Sequence, residues 1–195
     1  MIIISKKLKI FILDWKRPRG ETDNNMGISN VLMRLKLMRL KKRGLKIGEN
    51  CKIYDTHIDY GHCFLIEIGN DVTITNSSIV AHDASTKQSL GKTKVGKVII
   101  GDRVFIGWGS IVFPNVSIGN DVIIAAGSIV NRDIPAGSLV AGVPAKIIGK
   151  TSDFIEKNRK LMEQSPVFTT PWGEKRKGEI EEMRRALKDT IGFDE

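Results

Sequence analysis

Three imidazoles are available for acid–base chemistry in this 195-residue chain: His57, His62 and His82. An imidazole with an ordinary pKa of about 6.5 can accept a proton from a hydroxyl near neutral pH. His82 stands in the run Ala81-His82-Asp83, directly before a polar, Gly- and Lys-rich stretch at residues 83–97. Such a stretch reads as a loop on a rigid scaffold, where function concentrates. His82 is therefore the candidate general base. A carboxylate would orient its ring and stabilise the imidazolium. Two are in range: Asp83, adjacent in sequence, and Asp59, in the preceding coil. The sequence leaves both open, because either could be a turn-forming aspartate. His62 is a candidate for contact with an acceptor. No Ser or Cys sits beside His82 in a nucleophile elbow, so direct transfer between two bound substrates is the simpler expectation. Cys51 and Cys63 form no CxxC pair and no disulfide scaffold, which points to a reducing compartment and to no metal centre.

The element that must position these groups announces itself by period. Ile100, Ile106, Val112, Ile118, Ile124 and Val130 recur every six residues, and Ile68, Ile74 and Val80 extend the lane backwards. Four positions on from each later lane member come Val104, Ser110, Val116, Val122, Ser128 and Ile134. A period of six matches neither an α-helix nor a flat strand. It matches a solenoid whose flat faces consume six residues each, with the aliphatics stacked inward. Gly69, Gly101, Gly107 and Gly119 follow lane members directly, where a side chain would crowd the coil or need positive φ. Register is irregular over residues 47–67, so one coil there is lengthened. It breaks again between Val80 and Ile100, where residues 83–97 are pushed out. Residues 138–149 read as a last strand and exit. Residues 152–163 and 174–189 read as helices, split by Pro166 and Pro171.

Charge is confined to one end. The chain carries a formal +9, and residues 1–46 hold 13 Lys or Arg against three acids. Residues 1–27 read as irregular. Residues 28–43 read as a helix with Ile28, Val31, Leu32, Leu35 and Met38 on one face, ended by Gly44. This basic arm is expected to cap the open first coil, and is a candidate for contact with an anionic membrane surface or a phosphate-bearing substrate. Nucleic acid is not expected, since few aromatics accompany the charge. The first residues do not form a signal peptide and no apolar run reaches membrane-spanning length, so a cytoplasmic protein is expected, peripheral at the inner membrane face if the arm binds lipid.

Ile68-Gly-Asn-Asp-Val-Thr-Ile, Ile100-Gly-Asp-Arg-Val-Phe-Ile-Gly-Trp-Gly-Ser, Asn131-Arg-Asp-Ile-Pro and Ala141-Gly-Val-Pro-Ala-Lys together resemble the hexapeptide-repeat acyltransferases, over roughly residues 47–150. The branch with the most similar motifs holds sugar and polysaccharide O-acetyltransferases. The resemblance implies a left-handed parallel β-helix domain at 47–150, a helical tail at 151–195, acetyl-CoA as cosubstrate, a saccharide acceptor, and a homotrimer with sites between subunits. Ala81-His82-Asp83 resembles the branch's catalytic His motif. For CoA, the resemblance points to Gly107 and Trp108 along the pantetheine arm, with Ala126 and Gly127 one turn later. Asn131, Arg132 and Lys146 are expected toward the nucleotide end. Trp108 replaces the small residue expected at its position. It either covers the thioester or stacks on substrate, or it is a surface aromatic at a subunit contact.

Two other classes share the fold. A γ-class carbonic-anhydrase-like enzyme would use three His around a metal, and this chain has three, but the closely spaced pair comes first here and last in that class. A non-catalytic scaffold would not need His82 or the loop. Within the transferases, N-acetylation of a nucleotide-linked amino sugar is the alternative to O-acetylation.

Overall fold

The computed structural model describes residues 28–195; the expected irregular segment at 1–27 lies outside them. The repeat folds into a three-sided parallel β-helix. Its first face stacks Lys46–Ile47, Ile66–Ile68, Val98–Ile100 and Val116–Ile118. The second stacks Lys52–Tyr54, Thr73–Thr75, Phe105–Ile106, Ile123–Ile124 and Ser138–Ala141, and the third His57–Ile58, Ser78–Ile79, Ile111–Val112 and Ile129–Val130. Each face contributes an inward aliphatic per coil, and the later strands of the first face two, such as Val98 and Ile100. Ile53, Ile74, Ile106, Ile124 and Val140 form the ladder of the second face, in direct register. Fully buried side chains of this size contribute about 1.5–3 kcal/mol each. The second small residue of each hexad is buried as well, from Val104 to Ile134. Where that residue is a hydroxyl, its oxygen is satisfied by backbone: Ser110 Oγ donates to the Ala125 carbonyl at 3.1 Å and Ser128 Oγ to the same carbonyl at 2.6 Å.

The early lane needs one correction. Ile79, not Val80, points inward and pairs with Val112. The step from Ile74 to Ile79 is five residues, as is the step from Ile53 to Ile58 one coil below. The two coils therefore stack at a common interval of 21 residues, from Ile53 to Ile74 and from Ile58 to Ile79. The lengthening over 47–67 is a 3-10 turn at Cys63–Leu65 inserted between the third face and the first.

The lane glycines are required by close stacking. A Cβ on Gly119 would lie 2.5 Å from the Ala136 nitrogen, and one on Gly69 would lie 2.7 Å from the Gly101 carbonyl carbon. The left-handed positions fall elsewhere in the corners, at residues such as Asp71, Asn115 and Asp121. Arg103 also adopts positive φ, and its guanidinium pairs with both oxygens of Asp121 at 2.7 and 2.8 Å.

Helix α1 (Ile28–Lys42) covers the first coil and ends at Gly44, which has φ +103. The expected face is offset. Met33 and Leu40 are buried and Leu37 packs against the core, while Leu32 is exposed. Leu and Met occupy so many of these positions that the sequence offers more than one apolar stripe. At the other end Ser138–Ala141 turns back into an antiparallel strand, Lys146–Lys150. The polar stretch forms a hairpin, with His82–Asp83 paired antiparallel to Lys94–Val95 and the short helix α2 (Lys87–Leu90) at its tip. Helix α3 (Thr151–Met162) follows that returning strand at the expected length, one residue early, and α4 (Lys177–Ala186) is shorter than expected. Among the described residues, no helix is long and apolar enough to cross a membrane.

Candidate active site

His82 is the first residue of the hairpin, at the corner where the third face would turn into the first. The 21-residue coil interval places the segment after Ile58 beneath the segment after Ile79, and the Asp59 N–H donates to the Ile79 carbonyl at 3.0 Å. Asp59 is 2% exposed. Its Oδ2 meets His82 Nδ1 in a short hydrogen bond and also accepts the Ala81 N–H at 3.1 Å. Its Oδ1 accepts the His62 N–H at 3.1 Å. Burial opposes ionisation of this carboxyl, but the hydrogen bonds from His82, His62 and Ala81 outweigh it and hold its pKa below the usual aspartate range.

Of the two carboxylates open in the sequence, Asp59 is the one beside the imidazole. Asp83 is a correction: its oxygens bind Lys94 Nζ at 2.6 Å and the Ser85 N–H at 2.9 Å. The hydrogen bond from Lys94, reinforced by Ser85, holds the Asp83 carboxyl well below the ordinary range. Strand alternation explains the difference, because consecutive residues of His82–Asp83 point to opposite faces. Asp83 staples the two legs of the hairpin.

His62 joins the pair. Its ring centroid lies 4.9 Å from that of His82, and its Nδ1 lies 3.7 Å from Asp59 Oδ1. Sequence reasoning missed what holds this turn. Arg43, just past α1, packs 4.2 Å over the Tyr60 ring and donates from Nε to the Tyr60 carbonyl at 3.3 Å. The Cys63 thiol faces the Leu40 and Arg43 carbonyls. Only contacts between the cap helix and the extra turn could reveal this, and neither has a sequence period. His57 is elsewhere: it lies in a strand of the third face and lines a groove with Leu32, Met33 and Lys36. The three His therefore do not converge within the chain. Asp59, His62 and His82 do form a group whose ligand atoms lie within 4.8 Å of one another, close enough to hold a metal ion.

The residues expected at CoA are divided among three places. Gly107, Trp108, Ala126 and Gly127 share the corner between the second and third faces, where the Gly127 N–H donates to the Trp108 carbonyl at 2.8 Å. Gly107 has no room for a Cβ, which would lie 2.5 Å from the Ala126 nitrogen. Trp108 is 64% exposed. With the Asn76 amide turned so that its oxygen faces the indole, that oxygen accepts from Trp108 Nε1 at 2.8 Å and fixes the ring on the corner. Asn131 and Arg132 are exposed on the next corner, the one that bears His82. Lys146 is exposed on the returning strand. The third face thus separates the Trp108 corner from the His82 corner.

This corner pairs a partly exposed imidazole with a buried carboxylate, the arrangement that keeps a neutral base in the right tautomer. The family "Hexapeptide repeat of succinyl-transferase" matches residues 97–132. Protein CapG of Staphylococcus aureus is 39% identical over 117 residues, which cover 56% of this chain and 68% of CapG. The putative acetyltransferase YvoF of Bacillus subtilis strain 168 is 34% identical over 99 residues, half of this chain and 55% of YvoF. Among solved structures, a galactoside acetyltransferase in complex with coenzyme A aligns with a TM-score of 0.49 and 27% identity, over 68% of this chain and 77% of that one.

Proposed function

The chain belongs to the hexapeptide-repeat acetyltransferase family, whose left-handed parallel β-helix is the coil described above, and on that premise we propose that it moves an acetyl group from acetyl-CoA to a sugar hydroxyl. The observation that carries the reading is the Asp59–His82 pair at the root of the hairpin. With Nδ1–H donated to Asp59, His82 Nε2 carries the lone pair. It takes the hydroxyl proton as the sugar oxygen attacks the thioester carbonyl. The C–S bond then breaks, and the imidazolium returns the proton to the departing CoA sulfur. Asp59 stays ionised throughout and stabilises the imidazolium.

Gly107, Trp108, Ala126 and Gly127 are the proposed lining for the pantetheine arm, with Asn131, Arg132 and Lys146 toward the phosphates. Small residues let the arm approach backbone N–H groups, and the cations offset phosphate charge. In this reading residues 47–150 are the transferase unit, 1–46 its basic arm and 151–195 its tail. The division of site residues favours a homotrimer. Three copies with the third face turned inward would set the His82 corner of one against the Trp108 corner of the next, closing three equivalent sites. The exposed cations Arg34, Arg39, Lys41 and Lys42 of α1 suit an anionic membrane surface, where a lipid-linked saccharide would be met. Lys36 is committed elsewhere, donating to the Thr56 carbonyl at 3.0 Å.

The test is incubation with acetyl-CoA and a panel of free, nucleotide-linked and lipid-linked sugars, followed by mass analysis of the products. An acetyl gain removed by mild alkali identifies an ester. An alkali-stable product would indicate N-acetylation, the activity named for a 2,3,4,5-tetrahydropyridine-2,6-dicarboxylate N-acetyltransferase of Staphylococcus carnosus that is 43% identical over 65 residues. No acetylated product from any sugar would overturn the proposal.

A further inference from the structure

We propose that Asp59, His62 and His82 also form a zinc site, and that zinc bound there silences the transferase. The ligand-type atoms of the three side chains lie within 4.8 Å of one another. His62 Nδ1 is buried and has no hydrogen-bond partner among the described residues. At 3.7 Å it is too far from Asp59 Oδ1 for a hydrogen bond, although its ring is held against that of His82. The turn thus holds one nitrogen ready for a bond that no protein group completes. An ion between His62 Nδ1, His82 Nδ1 and an Asp59 oxygen would complete it.

Donor chemistry selects the ion. Two imidazole nitrogens and one carboxylate oxygen, with water in a fourth position, suit tetrahedral zinc. Magnesium and calcium prefer all-oxygen shells. The outer shell is already built, since the backbone N–H groups of His62 and Ala81 fix the Asp59 carboxylate. The His62 and His82 rings both reach the surface, their side chains 32% and 37% exposed.

The silencing rests on the acetyl-transfer reading; the binding does not. Zinc takes the place of the proton between Asp59 and His82 Nδ1. That proton is taken up at Nε2, so the ring stays neutral and no net proton is lost. A ring metallated at Nδ1 and protonated at Nε2 has no lone pair left to accept the sugar proton. The base is converted to the wrong tautomer without leaving its place.

The experiment is calorimetric titration of chelator-stripped full-length protein with zinc chloride alone. One site per chain is expected. His62→Gln and His82→Gln should each weaken binding by at least the ~10–100-fold that the loss of a mere outer-shell partner costs. His57→Gln, Cys51→Ser and Cys63→Ser should keep wild-type affinity, and magnesium should give no heat. Acetyl transfer by the wild type should fall with zinc occupancy and return on adding a chelator. Absence of saturable binding at millimolar zinc, or equal affinity in the wild type and both His variants, would overturn the site. Loss of transfer in His82→Gln without zinc binding would leave the acetyltransferase reading intact and remove only this inference.

Discussion

Asp59 receives His82 Nδ1 and the Ala81 N–H on Oδ2, while the His62 N–H binds Oδ1. A carboxylate fixed by backbone in this way sets the tautomer of its neighbour. In Asp59→Asn a single amide oxygen replaces two carboxylate oxygens, so it cannot both orient the His82 ring and accept the His62 and Ala81 N–H groups, which bind different oxygens of Asp59. The charge that stabilises the imidazolium is lost as well. The expected fall in acetyl transfer is on the order of 10²- to 10⁴-fold with substrate binding retained. Wild-type turnover in this variant would show that Asp59 does not orient the ring.

The same carboxylate should appear in the acid stability of the fold. Its folded pKa is depressed, so its stabilising contribution is complete above the unfolded value of about 3.9 and is lost as pH falls through the folded value. Denaturant midpoints followed from pH 6 down to pH 2 (roughly the span of that titration) should decline less for Asp59→Asn than for the wild type. Parallel curves would mean that the hydrogen bonds do not favour the ionised form.

Much of this architecture was legible because few folds besides a three-sided coil can bury a ladder with a period of six. What escaped were changes of one residue. Val80 and Ile79 are both aliphatic, so composition could not say which points inward. The answer lies in the 21-residue interval between coils, visible once Ile53 and Ile58 are aligned with Ile74 and Ile79. That interval also places Asp59 beneath the His82 corner, and so decides between Asp59 and Asp83, which the sequence left open. The face of α1 was ambiguous for a related reason: Leu32, Met33, Leu35, Leu37, Met38 and Leu40 support several stripes, and only docking on the first coil selects Met33 and Leu40. The division of the CoA candidates among two corners and the returning strand could not be read without knowing where each face ends.

Acetyl-CoA should raise the melting temperature, because it binds the folded site and not the unfolded chain. At a hundredfold excess over Kd the stabilisation is about 2.7 kcal/mol. Arg132→Glu and Lys146→Glu should each reduce the shift by setting a negative charge against the phosphates. Equal shifts in both variants and the wild type would remove these residues from the site.

Close stacking of the coils predicts an effect far from the chemistry. Gly119→Ala would drive its Cβ to 2.5 Å from the Ala136 nitrogen and 2.7 Å from its Cα. Overpacking of this kind costs roughly 1–3 kcal/mol. Urea denaturation should show the lower midpoint with an unchanged slope. A midpoint equal to wild type would mean that the stacked corners yield freely.

The basic arm should bind vesicles containing anionic lipid, with about 1 kcal/mol from each Lys or Arg near the surface. Co-sedimentation should weaken as salt rises and vanish with neutral vesicles. No sedimentation at low salt would leave α1 with its capping role alone. Deleting residues 1–46 should then expose the first coil and cause aggregation.

The most direct test of the central claim is the initial rate of acetyl transfer by His82→Gln on the acceptor found for the wild type, with the melting temperature of both proteins measured alongside. The side chain is partly exposed, so the fold should survive. Loss of the base should lower the rate on the order of 10²- to 10⁴-fold. A folded His82→Gln protein that transfers acetyl groups at close to the wild-type rate would contradict the account.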